Sequence, residues 1–175
     1  MYKLIVGLGN PGKEYSKTRH NVGFIAIEEY ATANDFPKFN NKEKFRGEVS
    51  EKGAGDKKQT LIMPDTFMNL SGQSVLLLSE FYKLAPEEIL IIHDELDFEF
   101  GRVELKVGGE GKSSHRGVRS ISESLRSNDF HRLRVGIGGK DLDVFDASDY
   151  VLGKWNKDES EKLPKIIKDA IKKIV

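Results

Sequence analysis

The sequence predicts a single-domain α/β fold with a twisted, mixed and mostly parallel β-sheet flanked by helices. Apolar runs rich in β-branched residues, which suit buried strands, alternate along the chain with segments of helical periodicity. A length of 175 residues is enough for one domain with its own core. The sequence contains no internal repeat and no low-complexity linker, so residues 1–175 are expected to form one domain.

The predicted elements follow from composition and spacing. Three runs, at residues 2–8, 59–63 and 89–93, are apolar enough for buried strands. Two others, at 102–107 and 132–137, alternate polar and apolar residues, as strands exposed on one face do, and 45–49 is a weaker strand. Helices are predicted at 22–33, 69–84, 117–126 and 157–174, the second one ending before Pro86.

The bulk composition excludes several classes of protein. The chain has no cysteine, which excludes a disulfide scaffold, a thiolate zinc site and a thiol nucleophile, and favours a reducing cytoplasm. Its first apolar run is too short for a signal peptide, and no stretch approaches the roughly 20 apolar residues of a membrane span. We therefore expect a cytoplasmic protein with no membrane partner.

Charge is balanced in total but uneven along the chain. Lysine plus arginine equal aspartate plus glutamate at 28 each, so net charge gives no argument for nucleic-acid binding. Residues 80–104 are rich in acid, whereas the following segment is basic. Its basic residues are Lys106, Lys112, Arg116, Arg119, Arg126, Arg132 and Arg134. Any nucleic-acid partner would have to meet this local patch.

Three glycines after the first strand have the G-x-G-x-x-G spacing of dinucleotide-binding sites: Gly7, Gly9 and Gly12. Such a site also needs a helix that begins at the last glycine and an acidic residue about 20 positions later, at the end of a second strand. Residues 13–21 are polar and lack helical periodicity, and the first helix is predicted only at 22. The glycines are therefore interpreted as shaping a tight loop that carries Asn10.

Polar side chains follow several predicted strands. Asn10 follows the first strand, His20 closes the next loop, Asn69 comes after the strand at 59–63, and Asp94 follows the strand at 89–93. Since the carboxyl ends of parallel strands meet at one edge, these residues should converge. A histidine oriented by a carboxylate is a general base near neutral pH. Asparagine amides can hold a peptide or ester backbone and stabilise an oxyanion.

These residues predict hydrolysis by water that His20 activates with the help of Asp94. With no cysteine and no G-x-S-x-G motif, a water molecule is the expected nucleophile. His20 taken alone could also be an ordinary loop histidine, and His93 with the acids after it could bind a metal. The histidines lack H-x-x-x-H and H-E-x-x-H spacing, so we predict neither a metal site nor another cofactor.

Four segments resemble the signature segments of the bacterial-type peptidyl-tRNA hydrolase family in order and spacing. They are VGLGNPGKEYSKTRHNVGF, TFMNLSG, ILIIHDELD and FHRLRVGIGG, and the similarity extends from residue 4 to about 154. The resemblance implies a monomeric α/β enzyme that uses no metal and needs no protein partner. Its substrate would be peptidyl-tRNA, hydrolysed at the ester joining the peptide to the 3′ end of tRNA.

The resemblance also implies residue roles. His20 and Asp94 match the catalytic pair, and Lys106 and Arg134 match basic residues that hold tRNA phosphate. The residues expected to bind substrate are Asn10, Tyr15, Met68, Asn69, His115 and Arg116. From their charge, Lys112 and Arg119 are expected to contact tRNA as well.

One loop departs from the family pattern. The family has His-Asn-Gly where this chain reads GEGKSSHRGV, with Arg116 in place of the asparagine and one extra residue before His115. Glu104 also stands where a second family lysine is expected. Arginine cannot accept a hydrogen bond from an attacking water, but it can bind a phosphate. A non-catalytic RNA-binding module, or a hydrolase of another acyl ester or amide, therefore stays open at this point.

Overall fold

The computed structural model describes residues 1–109, 113–139 and 146–174. The strands are β1 Leu4–Gly7, β2 Asn40–Lys42, β3 Gly47–Lys52, β4 Gln59–Pro64, β5 Ile89–Glu99, β6 Val103–Lys106 and β7 His131–Gly138. The helices are α1 Val22–Ala33, α2 Ser71–Tyr82, α3 Arg116–Leu125, α4 Ala147–Leu152 and α5 Lys157–Ile171. Short 3-10 turns at Arg19–Asn21 and Met68–Leu70 lead into α1 and α2.

All seven strands join one mixed sheet in the order β2-β3-β4-β1-β5-β7-β6. Its centre, β4-β1-β5-β7, is parallel, whereas the pairs at the two edges are antiparallel. The predicted mixed α/β sheet is confirmed. The parallel strands are confined to the centre, where helices can cover both faces.

The two faces of the sheet carry separate cores because side chains alternate along each strand. Ile5 points to the face covered by α1 and α5, and Leu4 and Val6 point to the face covered by α2 and α3. These three residues are fully buried.

In the part of the chain that the structure describes, no helix is long and apolar enough to cross a membrane.

Helix α1 lies close to the sheet, and glycines make this possible. A Cβ on Gly23 would clash with the carbonyl oxygen of Ile92 and the backbone of Leu8, and one on Gly7 would lie 2.5 Å from the carbonyl oxygen of Gly23. Only Gly12 of the three-glycine motif has a positive φ, +110°. A Cβ on Gly9 would lie 2.8 Å from the ring of Phe24 in α1, so Gly7 and Gly9 serve close packing against α1. This refines the prediction that all three glycines shape a loop.

Several element boundaries differ from prediction for local reasons. Strand β5 continues to Glu99, well beyond the expected 93, because its polar half pairs with β7. Strand β3 begins only at Gly47, since residues 43–45 form a 3-10 turn that ends at Arg46 with φ of 51°. Helix α2 ends at Tyr82, before a left-handed Lys83. The short elements β2 and α4 were not predicted.

Candidate active site

The polar residues that follow the central strands meet at the carboxyl edge of the sheet. Asn10 follows β1, Asp94 lies in β5, and His20 is in the 3-10 turn before α1. Met68 and Asn69 lie in the turn before α2, and His115 is the N-cap of α3. The structure thus brings together residues from five parts of the chain.

His20 and Asp94 form a close pair. The Nδ1 atom of His20 lies 2.9 Å from both carboxylate oxygens of Asp94. The Asp94 side chain is 2% exposed and that of His20 is 12% exposed. Because Nδ1 faces the carboxylate, its proton is held there, which leaves the Nε2 lone pair of His20 available to accept a proton.

Asp94 accepts from a second histidine. The Nε2 atom of His115 lies 2.8 Å from Asp94 Oδ1, the oxygen that also faces His20. Burial alone would raise the pKa of Asp94, but attraction to His115 and His20 and their hydrogen bonds hold it well below its usual value. The carboxylate therefore stays ionised beside both rings.

Both ring nitrogens of His115 are engaged. Its Nδ1 accepts from the backbone amides of Gly117 and Val118, at 3.2 and 3.3 Å, while Nε2 faces Asp94. A direct hydrogen bond from this ring to a substrate would have to break one of these contacts. The position of His115 therefore suits a different role from the substrate contact expected from the sequence.

His93 lies directly beneath this group. It is fully buried, its Nδ1 lies 2.7 Å from the Asp94 carbonyl oxygen, and its ring centroid is 4.8 Å from that of His115. Burial, and then the proximity of His115, lowers the pKa of His93 to about 3. His93 is therefore neutral and donates from Nδ1, while its buried Nε2 has no hydrogen-bond partner among the described residues.

Asn10 is fixed from two sides. Its side-chain Oδ1 accepts from the Met68 amide at 2.8 Å. The Asn21 side chain bridges the Asn10 backbone, accepting from its N–H and donating to its C=O, both at 2.9 Å. Asn21 follows His20 directly in the chain, so one turn carries the histidine and holds the asparagine.

Two adjoining cavities open around the pair. One, of about 290 Å³, is lined by His20 and by five of the six predicted substrate-binding residues, namely Asn10, Tyr15, Met68, Asn69 and Arg116. The other, of about 170 Å³, reaches Asp94, Glu95 and His115. His20, Arg116, Ser148 and Val151 line both, so α4 forms a shared wall. Tyr15 packs edge-on against the exposed Phe67 at the first cavity.

The predicted tRNA-binding residues have different surroundings. Arg134 is paired with Glu95 at 2.8 Å and Glu104 at 3.0 Å, and its guanidinium lies over Phe98. Arg119 is exposed on α3, and Lys106 lies on the edge strand β6. Lys112 lies outside the described residues. Arg134 could therefore bind a phosphate only in competition with two carboxylates.

Three residues of the site carry the kinds of atoms that bind metal ions in other proteins. A possible ligand atom from each of His20, Asp94 and His115 lies within 4.8 Å of the others. Hydrogen bonds of 2.8 to 2.9 Å already join these atoms, so shared protons account for their closeness. We assign no metal to this group.

A buried ion pair supports the turn that carries His20. The Arg19 guanidinium binds the Glu159 carboxylate through two nitrogens, at 2.9 and 3.2 Å, and lies 4.3 Å from the Tyr150 ring centroid. Glu159 also caps the start of α5. Arg19 and Glu159 were not expected from the sequence as part of the site, His93 was considered only as a possible metal ligand, and Asn21 was given no role. For Asn21 and His93 the available signal was their position next to His20 and Asp94.

An imidazole–carboxylate pair in a cavity at the carboxyl edge of a parallel sheet defines an α/β enzyme equipped for acid–base chemistry. The chain belongs to the peptidyl-tRNA hydrolase family, since the model of the family described as "Peptidyl-tRNA hydrolase" matches residues 4–175.

Individual relatives agree with this assignment. A peptidyl-tRNA hydrolase of Rickettsia bellii (strain OSU 85-389) is 43% identical over 156 residues, which cover 89% of this chain and 82% of the relative. One from Neisseria meningitidis is 49% identical over 136 residues, covering 78% and 70%. A crystal structure of peptidyl-tRNA hydrolase from Acinetobacter baumannii has a TM-score of 0.88 and 42% identity, covering 99% of this chain and 86% of that one.

Proposed function

We propose that this protein hydrolyses the ester bond of peptidyl-tRNA and releases free tRNA and free peptide. The observation that carries the proposal is the contact between His20 and Asp94, which both line the smaller cavity, in a chain that belongs to this family. Relatives at 43% and 49% identity bear the name of this activity. The non-catalytic RNA-binding module is not favoured, because binding alone has no use for a buried acid–base pair.

In the proposed reaction, His20 is the general base. Asp94 holds the Nδ1 proton, and Nε2 takes a proton from a water molecule as its oxygen attacks the ester carbonyl carbon. The tetrahedral intermediate then breaks its bond to the ribose oxygen, which receives the proton back from Nε2. The products are a carboxylic acid at the end of the peptide and a free ribose hydroxyl on tRNA.

The asparagines hold the substrate in this scheme. Asn69, in the turn before α2, donates from its amide to the oxyanion, a contact worth on the order of 3 kcal/mol in comparable sites. Asn10 has its Oδ1 occupied by the Met68 amide, so its NH₂ group is the part that meets the last peptide unit. Met68 packs beside this unit, and Tyr15 lies at the mouth of the cavity.

The tRNA is held through its phosphates without reading of sequence. Arg116, at the start of α3, lines both cavities, and it would bind a phosphate near the 3′ end. Lys106, Lys112, Arg119 and Arg134 would contact the acceptor stem. We further propose that the protein works as a monomer in the cytoplasm, where translation supplies its substrate, without a membrane or an obligatory protein partner.

The test uses purified protein and N-acetyl-aminoacyl-tRNA, with release of free tRNA as the measurement. Wild-type protein should release tRNA, whereas His20→Ala and Asp94→Asn should lose about 10³-fold or more in kcat. His131→Ala is the matched control. His131 is the first residue of β7, at the end of the strand away from the site, and it forms a hydrogen bond with Tyr2. Wild-type protein that binds tRNA but releases none would refute the proposal.

A further inference from the structure

We propose that His115 is a positioning residue, which α3 fixes in one tautomer and which in turn fixes the Asp94 carboxylate against His20. This inference rests on the proposed function. It gives His115 a role that acts through Asp94 rather than through the substrate.

The contacts of His115 with the first turn of α3 fix its tautomer. His115 is the N-cap of α3, and its Nδ1 accepts from the amides of Gly117 and Val118. An atom that accepts two N–H groups carries a lone pair, so the proton of the neutral ring lies on Nε2. The usual N-caps are serine, threonine, aspartate and asparagine. Here an imidazole caps the helix through Nδ1, and its Nε2 stays available to contact Asp94.

The His115 ring fits closely against the first turn of α3. A Cβ on Gly117 would lie 3.2 Å from Cε1 of His115 and 2.6 Å from the sulfur of Met68. The glycine therefore gives the imidazole room to fold back over the first turn of α3. Beneath it, the neutral His93 ring supports the other side at a centroid distance of 4.8 Å.

The Asp94 carboxylate is held by both histidines. Asp94 Oδ1 accepts from both His115 and His20, while Oδ2 also faces His20 at 2.9 Å. With His115 in place the carboxylate cannot rotate about its last bond without losing a charge-assisted hydrogen bond. Its negative charge is also divided between two donors.

Among the residues that the structure describes, the other groups around this carboxylate offer no replacement donor. His93 donates to the Asp94 carbonyl oxygen rather than to its carboxylate. Glu95 and Arg116 line the same cavity, but Glu95 is paired with Arg134 and Arg116 is exposed on α3. Removing the His115 donor should therefore let the carboxylate turn and direct more of its charge to His20.

Two substitutions separate this role from support of the helix. His115→Ser keeps an oxygen that can cap α3 but loses the donor to Asp94. It should melt near the wild-type temperature, lose about 10- to 100-fold in kcat, and shift the acidic limb of the pH profile upward by about half a unit or more. The upward direction follows because a less shared carboxylate stabilises the imidazolium form of His20.

His115→Gln provides the converse case. Its amide NH₂ can reach Asp94, but it gives α3 a poorer cap, so it should recover much of the lost kcat and the wild-type acidic limb while melting at a lower temperature. If activity instead follows melting temperature in both variants, or if the serine variant retains wild-type kcat and pH profile, the proposal is wrong.

A readout independent of activity separates this inference from the proposed function. In ¹⁵N NMR spectra of the wild-type protein, His115 should show a protonated Nε2 and an unprotonated Nδ1. A protonated Nδ1 on His115 would overturn the inference even if the enzyme is active. Failure of wild-type protein to cleave N-acetyl-aminoacyl-tRNA would refute the proposed function. The positioning role of His115 in catalysis would then be refuted with it.

Discussion

Nδ1 of His20 lies 2.9 Å from both carboxylate oxygens of Asp94, although the two residues are 74 positions apart in the chain. His20 belongs to the turn that opens α1, and Asp94 belongs to β5. Their contact depends on how closely the start of α1 approaches the sheet, which glycines permit at two points. Packing far inside the core thus sets the geometry of the pair.

Gly23→Ala should damage both stability and catalysis. A Cβ at this position would clash with backbone atoms of Ile92 and Leu8, so α1 must move away from the sheet. We expect the free energy of unfolding to fall by about 1–3 kcal/mol and kcat to fall about 10-fold or more. Urea unfolding and tRNA release measure the two effects. Ala33→Gly, at the exposed end of the same helix, should leave kcat unchanged; a fully active Gly23→Ala enzyme would contradict the argument.

Asn21→Ala should lower kcat/KM because Asn10 loses its support. The substitution removes two buried hydrogen bonds to the Asn10 backbone, which are worth about 1 kcal/mol each. Because Asn10 is proposed to hold the last peptide unit, kcat/KM should fall about 10-fold, with a loss of about 2 kcal/mol in stability. Steady-state kinetics on N-acetyl-aminoacyl-tRNA provide the measurement. The control is Asn34→Ala, at the end of α1, whose kcat/KM should match wild type.

Glu104→Gln should strengthen tRNA binding. Glu104 and Glu95 together hold the Arg134 guanidinium, so a phosphate must compete with both. Removing one negative charge should raise tRNA affinity about 2- to 5-fold at low salt and less at high salt. A filter-binding series over salt concentration tests this expectation. Asp158→Asn makes the same charge change on α5 and should have no effect; an unchanged Glu104→Gln affinity would remove Arg134 from the binding surface.

Arg116→Asn should bind tRNA less well yet be slightly more stable. A cation in the first turn of a helix opposes the helix dipole, so its removal from α3 should raise the melting temperature by about 1–3 °C. Loss of one phosphate contact should lower the slope of binding against salt by about 1. Calorimetry and salt-dependent binding test the two halves. Lys168→Gln, exposed on α5, should leave the slope unchanged; an Arg116→Asn slope equal to wild type would rule out the phosphate contact.

His93 should make the protein less stable as pH falls from 7 to 5. Burial lowers the pKa of folded His93 to about 3, whereas a histidine in an unfolded chain titrates near 6.5. Between these values the unfolded state binds the extra proton, so the free energy of unfolding drops as pH falls, by about 2 kcal/mol between pH 7 and 5. His93→Phe should lose this part of the pH dependence in urea unfolding. Equal pH slopes for both proteins would contradict the assignment.

The central residues of the site could be predicted because their positions follow from local sequence patterns. Asn10, Asn69 and Asp94 each follow an apolar run, and the ends of parallel strands meet at one edge whatever the details of packing. The paired residues His20 and Asp94 were accordingly expected to meet, and the structure places them in contact. Alternating strands and helices likewise sufficed for the mixed sheet covered on both faces.

What could not be predicted depends on register and on contacts between distant segments. The sequence marks Arg134 as a basic residue, but only the pairing of β6 with β7 places Glu104 opposite it. Similarly, no local pattern shows that His115 turns one nitrogen to its own helix and the other to Asp94. The six residues of α4 are too few for a periodic signal, although two of them, Ser148 and Val151, line both cavities.

The buried pair of Arg19 and Glu159 joins segments made at very different times. Ribosomes build a chain from its N-terminal end, so Arg19 emerges long before its carboxylate, which is 140 positions further on. Until that carboxylate arrives, the turn that carries His20 lacks its anchor. During synthesis, the turn that carries His20 therefore gains this support only after most of the polypeptide has been made. The growing chain becomes able to catalyse the reaction at a late stage.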